Sequence, residues 1–161
     1  MGIDKIYVDL RKSYKMDCVP LEDIKIMKVA SGSYHNVVVS DEGNVYVWGD
    51  NKFGQLGVGD VNKRISPEML DLGGEFIEDV CCGEYHTILI SKKREAFVFG
   101  SNKNGQLGIG KDIEILLTPK SLQMPDGGKI ILLSTSRGYS CSHTVAYTEH
   151  KNFYSWGSGK S

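Results

Sequence analysis

The 161 residues are 40% hydrophobic and 24% charged, with 19 glycines and only 4 prolines. That balance suits a folded chain with many tight turns and excludes a disordered one. Nineteen Lys and Arg against 20 Asp and Glu leave a formal charge of −1, so no general basic field exists to hold the phosphates of a nucleic acid. Four cysteines (Cys18, Cys81, Cys82, Cys141) are too few for a disulfide scaffold. No apolar run approaches the ~20 residues of a membrane span, and polar Met1–Lys5 does not read as a signal peptide. The expectation is an intracellular protein of cytoplasm or nucleus, with no membrane contact.

In chain order, residues 1–27 read as strand material from the tail of a truncated preceding repeat, with Leu21–Val29 as a strand and Pro20 just ahead of it. After His35, Asn-Val-Val-Val-Ser and Val45-Tyr46-Val47-Trp48 flank a turn at Asp41-Glu42-Gly43-Asn44. Two β-rich runs about such a turn predict a hairpin. Gly54-Gln55-Leu56-Gly57-Val58-Gly59 follows as a compact loop, and Ile65–Val80, with Pro67, supplies further short strands.

The same succession then recurs. Ser31-Gly32-Ser33-Tyr34-His35 returns as Cys82-Gly83-Glu84-Tyr85-His86, and Val45–Gly49 returns as Ala96-Phe97-Val98-Phe99-Gly100. The glycine-rich loop returns as Gly105-Gln106-Leu107-Gly108-Ile109-Gly110, every match displaced by 51 residues. Leu116–Leu133, with Pro119, closes the second copy as Ile65–Val80 closes the first. A third copy starts near Gly138 and carries His143, Tyr154, Trp156 and Gly157. In all three copies 13 residues separate His from the Trp or Phe. A period near 50 residues is the mark of a repeat architecture. It divides the chain into repeat 1 at 28–78, repeat 2 at 79–133 and an incomplete repeat 3 at 134–161.

Pairing the first hairpin symmetrically about Glu42/Gly43 sets Val39 opposite Tyr46, Val37 opposite Trp48 and His35 opposite Asp50. One face then holds His35, Val37, Val39, Tyr46 and Trp48, the other Val38, Val45, Val47 and Gly49. The second hairpin divides into His86, Ile88, Ile90, Phe97, Phe99 against Thr87, Leu89, Ala96, Val98, Gly100. The third divides into His143, Val145, Tyr147, Tyr154, Trp156 against Thr144, Ala146, Phe153, Ser155, Gly157. Sheets apolar on both sides must be sandwiched, and a bulky face stacked on a thin one fills the ~10 Å between sheets. The fold class expected is all-β: small antiparallel sheets stacked as the blades of a partial propeller. The turns Lys93-Arg94-Glu95 and His150-Lys151-Asn152 lack the glycine of the first, so they are either strained or of another type.

The motif Gly-x-x-His, thirteen residues to Trp-Gly, then Asn-x-x-Gly-Gln-Leu-Gly-x-Gly, resembles the repeat of the regulator of chromosome condensation family. The residues that carry it are Gly32, His35, Gly43, Val45, Trp48, Gly49, Asn51 and Gly54 through Gly57 to Gly59. In the second copy they are Gly83, His86, Phe99, Gly100, Asn102 and Gly105 through Gly108 to Gly110. Phe99 stands where the family has Trp, and repeat 3 has two additional residues between Gly138 and His143. The resemblance implies a normally seven-bladed β-propeller of four-stranded blades, of which this chain holds about three repeats. It also implies a protein partner, with a guanine-nucleotide exchange factor for a Ran-type small GTPase as the alternative to a plain interaction module. Missing blades or self-association are expected to cover the open ends of the stack.

Candidate chemistry reduces to structure at most positions. His35, His86 and His143 recur in every unit, whereas a catalytic residue has no reason to; buried histidines facing Asp50, Ser101 and Ser158 are expected instead. Cys81 and Cys82 are adjacent on a strand and point to opposite faces, so they do not share a tetrahedral zinc site with His86. Trp156-Gly-Ser-Gly-Lys-Ser161 has Tyr154 where a phosphate loop needs Gly. Gly73-Gly74 and Gly127-Gly128 read as turns, and Lys92-Lys93-Arg94 as a solvated hairpin. No catalytic constellation, cofactor or metal is implied. The candidate partner-binding residues are Lys52, Phe53, Lys103 and Asn104, at matching places in the glycine-rich loops, with Phe53 either an exposed anchor or packed beneath its own loop.

Overall fold

The structure, a computed structural model, describes residues 21–136 and 142–158. Gly138, Cys18, Pro20 and Cys141, and the end of the Trp156–Ser161 segment, lie outside the described residues. Among the described residues, eleven strands form three antiparallel sheets. The first holds β1 (Ile26–Ser31), β2 (His35–Ser40), β3 (Val45–Gly49) and β4 (Arg64–Met69) in sequential order. The second holds β5 (Ile77–Cys82), β6 (His86–Ser91), β7 (Ala96–Ser101) and β8 (Ile115–Leu122), and the third β9 (Ile130–Thr135), β10 (His143–Thr148) and β11 (Phe153–Gly157). Strand β1 begins ahead of repeat 1, at Ile26, and β5 ahead of repeat 2, at Ile77, so sheets and sequence repeats are offset. The successive inner strands β1, β5 and β9 approach one another across the sheets, so the sheets fan out from that side as the blades of a partial β-propeller. Pro67 and Pro119 lie in the outer strands β4 and β8, where a missing N–H removes no ladder bond from a sheet interior.

The hairpin register differs by one residue from the symmetric pairing. Val39 pairs with Val45, Val37 with Val47 and His35 with Gly49. The turn explains the slip. Asn44 O accepts from Ser40 N–H at 2.9 Å, Ser40 O accepts from Gly43 N–H at 3.0 Å, and Gly43 has φ +79°. This is a three-residue connection ending on a left-handed residue, not a two-residue turn centred on Glu42/Gly43. Because side chains alternate, a one-residue slip exchanges the faces of β3. His35, Val37, Val39, Val45, Val47 and Gly49 therefore share a thin aliphatic face, and Asn36, Val38, Tyr46 and Trp48 the bulky one.

The second hairpin behaves alike, with His86 opposite Gly100, Ile88 opposite Val98 and Ile90 opposite Ala96. In the third, His143 pairs with Gly157 and Val145 with Ser155, which puts Thr144, Ala146, Tyr154 and Trp156 on one face and Phe153 with Tyr147 on the other. The thin-on-bulky stacking stands with this corrected membership. Val37, Val39, Val45 and Val47 pack with Leu89 and Phe99 in one core, while Ile88, Ile90, Ala96 and Val98 pack with Ala146, Tyr154 and Trp156 in the next. Phe99 is wholly buried, worth about 2 kcal/mol in apolar area. On the outward face of the third sheet Val145 and Phe153 are exposed, whereas on the bulky face of the first Val38 is buried.

The equivalent turns keep the same geometry without glycine. Arg94 has φ +66° and Lys151 φ +65°, with Ser91 O and Thr148 O accepting from their N–H groups at 2.8 and 2.9 Å. Of the two expectations for these turns, the strained one is what the fold contains. A non-glycine residue there costs about 1 kcal/mol. Arg94→Gly is therefore expected to raise stability by roughly 0.5–1 kcal/mol, less whatever its half-exposed pairing with Glu78 at 3.8 Å contributes. A urea-denaturation midpoint lower than that of the parent would refute it. The neighbouring cations are also engaged: Lys93 meets Glu75 at 2.7 Å, and Lys92 lies 5.1 Å from the Phe76 ring centre.

Candidate functional site

The repeated motif residues build the joints between sheets. The His35 ring lies where a Cβ on Gly32 would project, and the His86 ring does the same over Gly83. Glycine is required there by close approach, since neither has a left-handed φ. The two histidines reach the next sheet rather than Asp50 and Ser101: His35 Nε2 meets Thr87 Oγ1 at 3.0 Å, and His86 Nε2 meets Thr135 Oγ1 at 2.8 Å. Thr87 donates its hydroxyl proton to Gln55 O at 2.8 Å, and Thr135 donates to His143 O at 3.2 Å. Each hydroxyl must therefore accept, which makes Nε2 the protonated nitrogen. The Nδ1 atoms of both rings are buried with no hydrogen-bond partner among the described residues. Burial lowers both histidines to about 4; Asp50 opposes the shift at His35, and His35 adds to it at His86. His143 occupies the same repeat position but is exposed, its Nδ1 3.1 Å from Ser158 O.

The glycine-rich loops are held from within. Asn51 Oδ1 accepts from Leu56 N–H at 3.0 Å while its amide donates to Asp60 O at 2.8 Å; Asn102 repeats this with Leu107 N–H at 3.0 Å and Gly110 O at 2.7 Å. Gln55 Oε1 accepts from Phe53 N–H and Gln106 Oε1 from Asn104 N–H, at 2.8 and 2.9 Å. Gly54 and Gly105 donate to Asn51 O and Asn102 O, both at 2.9 Å. Gly57 seats the Phe99 ring, 2.8 Å from where its Cβ would stand, and Gly108 seats Trp156 at 3.0 Å. Trp156 Nε1 also donates to Gln106 O at 2.9 Å. Phe99 has no N–H to give Gln55 O, so the substitution keeps the packing and loses one bond. Trp48, on the bulky face of the first sheet, is half-buried. Gly49 and Gly157 end β3 and β11, and Gly100 is the penultimate residue of β7; a Cβ at these positions would collide with the carbonyls of Tyr34, Ser142 and Tyr85 respectively.

On the rim formed by these loops the structure gathers side chains from both complete repeats. Phe53 neither stands free nor lies beneath its own loop; half-buried, it tilts against Tyr85 of the next repeat at 4.7 Å between ring centres. Tyr85 stacks in turn with Tyr34 at 6.3 Å and 22°. Lys52 and Lys103 stand 5.9 and 5.4 Å from the Phe53 ring centre. Asn104 is exposed. Sequence reasoning missed Tyr34 and Tyr85. Their signal was available: each precedes a motif histidine, and alternation along a strand end that buries His turns its neighbour outward.

Among the described residues, no group of three or more His, Cys, Asp or Glu is placed to hold a metal ion, and no helix is long and apolar enough to cross a membrane. Cys82 is buried in the core between the first two sheets, whereas Cys81 Sγ lies 3.5 Å from Leu133 O.

Comparison with known proteins agrees with this geometry. Residues 42–90 and 95–146 match the Regulator of chromosome condensation (RCC1) repeat, and a second description of that repeat matches 26–55 and 77–106. The chain is 37% identical over 140 residues to the Ultraviolet-B receptor UVR8 of Arabidopsis thaliana, covering 86% of this chain and 31% of that one. Its fold superposes on human WBSCR16 with a TM-score of 0.80 at 24% identity, over 99% of this chain and 39% of that one. Prp20p of Saccharomyces cerevisiae, whose structure is described with its binding properties to Gsp1p and histones, gives a TM-score of 0.70 at 25% identity, over 82% of this chain and 33% of that one. The chain thus spans about a third of the length of such relatives. With its histidine and aromatic–glycine pattern in three stacked sheets and its glycine-rich loop in two of the repeats, it belongs to the regulator of chromosome condensation (RCC1) repeat family.

Proposed function

We propose that this chain is a non-enzymatic protein–protein interaction module that meets its partner on the rim of glycine-rich loops. The observation that carries this reading is the row Tyr34, Tyr85 and Phe53, drawn from two repeats to one rim, with Phe53 on a glycine-rich loop held by its own hydrogen bonds. Aromatic side chains held on a rigid scaffold lose little freedom on binding and bury much area. The opposite rim, with the hairpin turns, spends its Lys93 and Arg94 on Glu75 and Glu78.

A photo-crosslinking side chain placed at Tyr34 tests this against one placed at Glu42 on the opposite rim. A discrete protein adduct is expected from position 34, with its yield reduced by Phe53→Ala. Equal adducts from both positions would overturn the assignment. The likeness to Prp20p favours a second reading, guanine-nucleotide exchange on a Ran-type small GTPase. Under the scaffold reading this chain leaves the nucleotide-release rate of purified Ran unchanged; acceleration would replace that reading with the exchange one.

A further inference from the structure

Resting on the interaction reading above, we propose that Tyr34, Tyr85, Phe53, Lys52 and Lys103 form a docking site for an acidic segment of a protein partner, one that carries an aromatic or large apolar side chain among its carboxylates. The charge arrangement points to this occupant. The ammonium groups of Lys52 and Lys103 come from consecutive repeats and converge on one ring, that of Phe53. Ion pairs among the described residues engage Lys25, Lys28, Arg64, Lys93 and Arg94, but neither Lys52 nor Lys103. Both heads are therefore held near the ring by cation–π attraction while their charge is left for a carboxylate.

The two acids beside the first glycine-rich loop are bound by other groups. Asp50 accepts from Gln55 Nε2 at 3.0 Å. Asp60 is bound by Arg64 at 2.9 Å and by Asn51, and these bonds, with the Arg64 guanidinium foremost, hold its carboxyl down to about 2. Arg64 is in turn bound by Glu68 as well. The outer end of the aromatic row is exposed: Tyr34 is 65% exposed, and its ring continues the stack begun by Tyr85. An anchor from the partner would lie along this row, with flanking carboxylates reaching the two lysines. Such a site combines an apolar centre with a charged border, the usual anatomy of a protein interface. A nucleic acid is disfavoured because two cations do not make a track for a phosphate backbone, and the whole chain is at −1.

The test uses the full chain and a fluorescein-labelled peptide of alternating Asp and Glu with one central Trp. Its comparators are the Asn/Gln version of that peptide and a single-stranded oligothymidylate. Fluorescence anisotropy is expected to show salt-sensitive binding of the acidic peptide alone. Lys52→Glu combined with Lys103→Glu is expected to weaken it at least about tenfold. Lys103→Arg retains it. Both lysines are exposed, so thermal unfolding of the charge-reversed variant should match that of the parent and separates loss of binding from loss of fold. Equal affinity for the neutral peptide, or preference for the oligonucleotide, would overturn the proposal. If the Tyr34 crosslink persists while the acidic peptide is not bound, only the assigned chemistry fails; if both are absent, the rim itself is not the interface.

Discussion

Gly83→Ala is expected to destabilise the chain by about 3 kcal/mol, the upper part of the range for forcing extra volume into a packed site. The added methyl would fall on the His86 ring, and the ring cannot swing away without breaking its bond to Thr135. Backbone conformation contributes nothing, because Gly83 does not have a left-handed φ. Gly73→Ala is the contrasting case. Gly73 has φ +62° and nothing within 4 Å of a built Cβ, so its replacement should cost only about 1 kcal/mol through the backbone.

Urea denaturation of both variants checks the difference, and equal losses would show that the ring does not occupy the space above Gly83. The double variant Gly83→Ala with His86→Ala removes the obstacle along with the ring. Its loss should fall short of the sum of the single losses by at least about 1 kcal/mol, the signature of residues in direct contact. Strict additivity would count against the steric account.

Acid should loosen the same joints. Burial lowers His35 and His86 to about 4, against an ordinary value of 6.5 for the unfolded chain. Between those values the unfolded state takes up protons that the folded state refuses, so stability falls as pH falls. The contribution of the neutral rings is fully present above about pH 6.5, declines through the window down to 4, and loses nothing more below it. Two and a half pH units correspond to about 3 kcal/mol for each histidine. The geometry supplies the reason: Nδ1 is buried in each ring without an acceptor for the proton it would gain. Denaturation midpoints compared at pH 7 and pH 4.5 should differ markedly, and a variant with Gln at both positions should flatten the difference. An unchanged midpoint in the parent would sink the prediction. Two carboxyls act on the acid side of this window: hydrogen bonds from Arg64 to Asp60 and from Asn152 to Asp126 hold both below the ordinary aspartate value, so their contribution is lost mainly as pH falls below about 4.

Much of this protein was legible in the sequence alone. The 51-residue displacement of Gly-x-x-His, of the aromatic-Gly pair and of the Gly-Gln-Leu-Gly loop determined the repeat, the all-β class and the stacking of small sheets, because recurrence at fixed spacing survives any uncertainty about local geometry. The strand register did not follow from it. Whether a turn such as Asp41-Glu42-Gly43 closes on two residues or three depends on one left-handed φ, and that choice moves Val45 and Val47 into the core and turns Tyr46 and Trp48 to the other face.

The partners of the histidines were equally out of reach. Thr87 and Thr135 stand 52 and 49 residues from His35 and His86, and only the packing of one sheet on the next sets each pair within 3.0 Å. The rim follows the same rule. Lys52, Phe53 and Lys103 could be singled out from their places in the repeat, but Tyr34 and Tyr85 join them only because consecutive loops are brought side by side. Local spacing is written along the chain, whereas contacts between sheets depend on how each sheet twists and docks, which no single repeat contains.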